Sequence, residues 1–174
     1  FGVIVPGKLI EDVGRIVNDN DNIKIYISDN RMVFVVNEYT ISIMLLSGKY
    51  PDFSKIFPKK AATIINANKQ TLIDVLSRAR ILTDNQNEMI SLTISGDIFT
   101  VSAQSEAGKM SEELQVQVRG ESLKQFFINV KYMLDGVKAL DGNELHIKFN
   151  GDSGAVVMND DAFKYLALPI KPNK

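Results

Sequence analysis

The stretch Ile23-Lys24-Ile25-Tyr26-Ile27, Asp29-Asn30, Met32-Val33-Phe34-Val35-Val36, Asn37-Glu38 and then Tyr39 onward decides the fold. Apolar residues recur with a period of two, and two short polar corners interrupt them. That is the pattern of a three-strand antiparallel meander whose third strand runs to about residue 46. Upstream, residues 8–17 place Leu9, Ile10, Val13, Ile16 and Val17 on one stripe of a helix. Pro6 stands at the helix start, where a missing N–H costs nothing. Val3-Ile4-Val5 before it reads as a strand. The unit is therefore strand, helix and three strands.

The same order returns twice. Thr63-Ile64-Ile65-Asn66-Ala67 reads as a strand and residues 69–82 as a helix with Leu72, Ile73, Val75, Leu76 and Ala79 inward. Strands follow at 90–95, 98–103 and 112–118, with Gly96-Asp97 as a tight turn. In the third copy residues 114–118 close one unit and open the next. Residues 122–140 read as a helix carrying Phe126, Phe127, Val130, Met133, Leu134 and Val137, and strands follow at 144–150, 155–158 and 163–168. The expectation is an α+β fold of repeated β-α-β-β-β units, helices on one face and antiparallel sheets on the other. Two units make one domain, so residues 61–174 form a complete domain and residues 1–60 half of another.

Composition sets the outer limits. The chain has 174 residues, and 45% of them are hydrophobic, enough for a real core. No apolar run approaches the roughly 18 residues of a membrane-spanning helix. There is no Cys, which removes disulfides, thiol nucleophiles and Cys-ligated metals, and the single His146 leaves no His-rich metal site. The chain opens on Phe1 with no signal-peptide pattern, which reads as a piece beginning in mid-protein with a cytoplasmic home. Asn18-Asp19-Asn20-Asp21-Asn22 lacks the Gly and the bidentate Glu of a calcium loop and reads as a helix-to-strand turn. Asp84-Asn85-Gln86-Asn87-Glu88 holds the same place in the second unit. No catalytic constellation emerges, and no cofactor or metal is expected.

Net charge is −1, against coating of nucleic acid by bulk attraction. The distribution is uneven. Lys8, Glu11, Asp12 and Arg15 cancel on the first helix, while Lys69, Arg78 and Arg80 outweigh Asp74 on the second, and Lys124, Lys131 and Lys138 outweigh Glu121 and Asp135 around the third. Basic helices on an acidic body suit a helix-lined surface facing a polyanion. They equally suit ordinary solvated helix faces.

Four motifs in order carry a family resemblance across the whole chain. They are Ile4-Val5-Pro6-Gly7-Lys8 with Gly14-Arg15-Ile16, Ser47-Gly48-Lys49-Tyr50-Pro51-Asp52-Phe53-Ser54-Lys55-Ile56-Phe57-Pro58, Phe127-Ile128-Asn129-Val130-Lys131-Tyr132-Met133-Leu134-Asp135, and Tyr165-Leu166-Ala167-Leu168-Pro169-Ile170. Arg78-Ala79-Arg80-Ile81-Leu82 also matches in type and place. The chain resembles the bacterial DNA polymerase III beta subunits, the sliding clamps, over the second half of their middle domain and the whole of their last. The resemblance implies a non-catalytic processivity factor, cytoplasmic and nucleoid-associated, that encircles duplex DNA as a head-to-tail ring dimer without reading its sequence.

It also implies two surfaces. Lys8, Arg15, Arg78 and Arg80 would face DNA, although Arg78 could instead pair with Asp74 at i, i+4. A groove for Gln- and Leu/Phe-containing tails of the polymerase III alpha subunit, the clamp loader, other polymerases and repair proteins would take Pro51, Lys55, Ile56, Asn129, Tyr132, Ser153, Ala155, Leu166, Ala167, Leu168, Pro169 and Ile170. Apolar anchors with a few orienting polar groups are what such a groove needs. Three residues depart from the family pattern: Gly7 for a basic residue, Lys55 for Arg, and Leu168 for Met. The alternative is a protein-interaction scaffold of the same repeat that encircles no DNA.

Overall fold

The structure is a computed structural model that describes residues 2–50, 52–53, 56–84 and 88–171. It divides into two compact units, residues 1–53 and 54–174. Residues 54–60, which the sequence pattern groups with the first unit, thus go with the second.

In unit 1, α1 (Gly7–Ile16) is followed by the meander β1 (Lys24–Ile27), β2 (Arg31–Val36) and β3 (Tyr39–Met44), in sheet order β1-β2-β3. Alternation on β2 buries Met32, Phe34 and Val36, and Met32 and Phe34 form a small core with Val13 of α1, Ile43 and Leu45. The expected opening strand is reduced to one bridge, Ile4 to Leu46, in which Leu46 N–H donates to the Ile4 carbonyl at 2.9 Å. The Asn18–Asn22 stretch is a turn: the Asp21 carboxylate accepts from Asn18 N (2.9 Å) and from the Asn37 side chain (3.0 Å).

Among its described residues unit 2 contains two sheets and two helices. β4 (Thr63–Asn68), α2 (Lys69–Ile81), β5 (Met89–Ser95), β6 (Ile98–Ser105) and β7 (Gly108–Gln115) make its first half. After β8 (Gln117–Gly120), β9 (Leu123–Asn129), α3 (Val130–Ala139), β10 (Glu144–Phe149), β11 (Val156–Asn159) and β12 (Lys164–Ala167) make the second. Sheet order is β12-β11-β10-β4-β8 in one sheet and β7-β6-β5-β9 in the other. Each half sends its opening strand into the other's sheet: β4 pairs with β10, and β9 with β5. One core joins Leu72, Val75 and Leu76 of α2, Met133, Leu134 and Val137 of α3 and the inner faces of both sheets. Phe149 ties the sheets together, with ring centres 5.3 Å from Phe126 and 6.3 Å from Phe99. Burying each such side chain contributes roughly 1.5–3 kcal/mol.

The expected helix over 122–140 is corrected. Residues 123–129 are β9, and only 130–139 are helical. Pairing of β9 with β5 shifts register between Leu92 and Ile94, a bulge that leaves Lys124 and Gln125 exposed in succession. Leu123, Phe126 and Val130 consequently fall at helix-like intervals although the first two lie on a strand. With this correction the helices begin at Gly7, Lys69 and Val130, a more even repeat than the sequence pattern suggests. Asn68 and Asn129 end the opening strands of unit 2 in equivalent places, and each caps the helix it precedes, accepting from Thr71 N and Lys131 N. Lys69 closes the helix pair from the other end, its ammonium donating to the Lys138 and Leu140 carbonyls at the C-terminus of α3.

Candidate functional site: the edge of β9

Three separate segments converge along β9. At its start, the Lys124 N–H donates to the Asp152 carboxylate (2.9 Å), which anchors the loop carrying Ser153 and Ala155. Asn150 braces that loop from within by donating to the Ala155 carbonyl (3.0 Å). In the middle, Ile170 N–H donates to the Phe127 carbonyl (2.8 Å), holding the chain after β12 beside the strand. At its end stand Asn129 and, one helical step on, Tyr132. Of the expected groove residues, Asn129, Tyr132, Ser153, Ala155 and the segment Leu166 to Ile170 are therefore brought to one region.

Their side chains are not equivalent. Ala167 is buried in the core on the inner face of β12, so its contribution is structural. Leu166 stands opposite Val157 and faces outward. Strand pairing stops at Ala167, and Pro169, with no N–H to give, keeps the chain out of the sheet. Leu168 is left 67% exposed. Tyr132 is half exposed on the first turn of α3. An exposed Leu and Tyr thus lie on the same stretch of surface as polar Asn129 and Ser153. Ile56 is also half exposed, on the stretch leading into β4. Its neighbour Phe57 lines a cavity of about 370 Å³ with Val157 and Lys164, on the same outer sheet face as Leu166. Pro51 and Lys55 lie outside the described residues.

Tyr165 is a positioning residue that the sequence reading quoted but did not place in the groove. Its ring packs against Gly136 of α3, where a Cβ would lie 2.6 Å from the ring carbon Cδ1. Burial, chiefly, and then the nearby Asp135 and Tyr132 raise the Tyr165 hydroxyl above its ordinary pKa. The ring thus fixes the spacing between β12 and the helix that carries Tyr132. A glycine in mid-helix on a buried face was the available signal.

The four candidate DNA-facing cations have different surroundings. Lys8 is exposed on α1 and has no ion pair among the described residues. Arg15 pairs with Asp12 at 3.1 Å and Arg80 with Glu88 at 2.7 Å. Arg78 does not use Asp74 as its hydrogen-bonding partner, because it makes a two-pronged bond to Glu112 on β7, with Nε to Oε1 at 2.7 Å. That bond raises Arg78 further and holds Glu112 below the ordinary carboxylate range. His146 is exposed, its Nδ1 2.6 Å from the Asn66 side-chain oxygen. Among the described residues no group of three or more His, Asp or Glu is placed to hold a metal ion. Among the described residues no helix is long and apolar enough to cross a membrane.

Comparison with known proteins agrees with this architecture. The family of the DNA polymerase III beta subunit, C-terminal domain, matches residues 54–171, and the central domain of the same subunit matches residues 1–52. The beta sliding clamp of Staphylococcus aureus (strain Mu50 / ATCC 700699) is 32% identical over 176 residues, covering 97% of this chain and 46% of that protein. The crystal structure of the DNA polymerase sliding clamp from Bacillus subtilis superposes with a TM-score of 0.84 at 28% identity, covering 99% of this chain and 47% of the other. A Pseudomonas aeruginosa clamp shares the fold with a TM-score of 0.84 at 22% identity, covering 98% of this chain and 48% of its own. The chain spans about half the length of the curated relatives it matches. Matched by two consecutive domains of one subunit, with the repeat and sheet order that place the β9 edge, the chain belongs to the DNA polymerase III beta subunit, or sliding clamp, family.

Proposed function

We propose that this chain supplies part of a processivity clamp that encircles duplex DNA as a ring dimer and docks replication and repair proteins through short peptides, without catalysis of its own. On this reading the first unit, residues 1–53, is part of a middle domain and the second, residues 54–174, is a last domain. The polymerase alpha subunit and the clamp loader are the expected partners. The observation that carries the docking role is the convergence of the Ser153–Ala155 loop, the Leu168–Ile170 segment and Asn129–Tyr132 along β9. Pro51, Lys55 and Ile56 would add the linker wall. Lys8, Arg15, Arg78 and Arg80 would supply weak, salt-dependent phosphate contacts, which suit sliding.

The test is titration of a labelled peptide carrying Gln, Leu and Phe against the 174-residue chain. Saturable binding weakened about tenfold or more by Leu168→Ala supports docking at this edge, since removing one buried anchor costs about 1.4 kcal/mol or more. Binding that Leu168→Ala leaves untouched refutes it.

A second reading is favoured by a specific observation: Arg15, Arg78 and Arg80 all spend their charge on carboxylates of this chain. A scaffold of the same fold that encircles no DNA would look like this. Retention on circular DNA with loss on linearisation separates the two, since only a topological link predicts it.

A further inference from the structure

We infer that the lysine-lined cavity on the outer face of the five-stranded sheet takes carboxylates of the docked peptide, so that the partner segments carry acidic residues beside their apolar anchor. This rests on the docking reading of the β9 edge and adds a charge requirement to it. The cavity, of about 370 Å³, is lined by Lys59, Lys60, Lys148 and Lys164, with Phe57 and Val157 among its apolar walls. That volume lies within the range of ligand pockets. No carboxylate among the described residues lines it, and every lining residue belongs to unit 2.

Strand register ties the cavity to the candidate groove. Leu166 stands opposite Val157, Val157 opposite Lys148, Lys148 opposite Ile64, and Ile64 opposite Arg119. Directly opposed residues share a face, so these side chains form one row across the sheet. Their chain neighbours Ala167, Met158, Ile147 and Ile65 are buried in the core, which puts the row on the outer face. The row starts at a candidate groove residue and meets its first cation, Lys148, two strands on. At a strand spacing of about 4.8 Å, the Lys148 backbone lies about 10 Å from that of Leu166, a span that about three residues of extended peptide cover.

The charge in this cavity is not spent within the chain. Among the described residues none of the four lysines has an ion pair. Lys148 donates to the Asn159 side-chain oxygen at 2.8 Å, a neutral partner that leaves its charge uncompensated. The carboxylates nearest in sequence are engaged elsewhere. Asp152 accepts from the Lys124 N–H, and Asp160 accepts from the N–H groups of Asp141, Ala162 and Phe163. Asp161 lines a separate cavity with Leu140 and Glu144. Like charges gathered around one concavity repel each other and attract an incoming anion. The outer sheet face also favours a peptide over duplex DNA. α2, which carries the candidate DNA-facing Arg78 and Arg80, packs with α3 against the inner face.

The test titrates the whole chain with a labelled Gln/Leu/Phe peptide, bare or extended at either end by a short tract of Asp or, as control, of Ser. The expected result is that Asp at one end tightens binding at least about fivefold over Ser at the same end in low salt. That gain should fade between about 50 and about 200 mM salt, while binding of the bare peptide holds. The double variant Lys148→Gln with Lys164→Gln should lose the gain and still bind the bare peptide. Lys109→Gln, which removes the same kind of charge from the other sheet, should keep it. The salt series on the unaltered chain needs no variant to fold. Asp extensions that bind no tighter than Ser, or a gain that survives in the double variant, overturn the inference and leave docking standing. So does a cavity that binds duplex oligonucleotide through Lys148 and gains nothing from Asp. Failure of the bare and the extended peptides alike overturns the docking reading and this inference with it.

Discussion

Replacing Gly136 with Ala is expected to change sign with the residue opposite it. In an open helix interior Ala gains about 1 kcal/mol over Gly. Here the added Cβ would sit 2.6 and 2.9 Å from two carbons of the Tyr165 ring and 3.2 Å from the Met158 sulfur. Overpacking of that kind costs about 1–3 kcal/mol. The net expectation for Gly136→Ala is a loss of about 1 kcal/mol. In a Tyr165→Ala background the clash with the ring is gone, and the same substitution should stabilise by up to about 1 kcal/mol, a coupling of about 2 kcal/mol between touching residues. Hydrogen exchange at the buried α3 amides of Met133 and Leu134 reads this locally, because a chain of two units need not unfold in one step. The same push on Tyr165 should displace β12 from α3 and weaken peptide binding. Equal stabilisation by Gly136→Ala in both backgrounds would refute the claim that this contact sets the helix-to-strand spacing.

Three further outcomes follow from the geometry. Phe149→Ala removes the ring that touches both Phe99 and Phe126 and should cost about 3–5 kcal/mol by urea unfolding of unit 2. Glu112 is held below its ordinary pKa by the Arg78 bond, Asp21 by the Asn18 N–H with help from Asn37, and Asp160 by the Asp141 N–H and then that of Phe163. Their stabilising contribution is complete above the unfolded carboxylate pKa of about 4 and is lost as pH falls below it, so a thermal melt series should be flat from neutral pH down to about 5 and drop at lower pH. Glu112→Gln removes the counter-charge from Arg78. If that guanidinium faces phosphate, the variant should bind duplex DNA more tightly, with a salt slope steeper by about one, and an unchanged slope would place Arg78 off the DNA surface.

Much of this was legible in the sequence, for reasons that differ by element. The meander was readable because β2 buries one face only, so Met32, Phe34 and Val36 alternate with less buried residues. α2 was readable because its apolar positions recur at helical intervals. β9 was not, because a bulge opposite Leu92 and Ile94 breaks the alternation and mimics a helical stripe. In the candidate site, Leu168 and Tyr132 were expected from motif resemblance alone, and both are exposed. The hydrogen bonds from Lys124 to Asp152 and from Ile170 to Phe127 could not, since they join residues far apart in sequence and depend on the strand exchange. The Arg78–Glu112 pair was hidden in the same way. Local spacing offered Asp74, whose carboxylate instead accepts from Gln70, and the tertiary partner took the guanidinium.

The central claim, that the β9 edge is a peptide-docking groove, is tested most directly by amide chemical-shift mapping. The isotope-labelled 174-residue chain would be titrated with a Gln/Leu/Phe-type peptide. Saturable shifts at Asn129, Tyr132, Ser153, Leu166, Leu168 and Ile170, abolished by Leu168→Ala, are the predicted result. Saturable shifts confined to another face, such as β6 and β7, or no shifts at all, would contradict it.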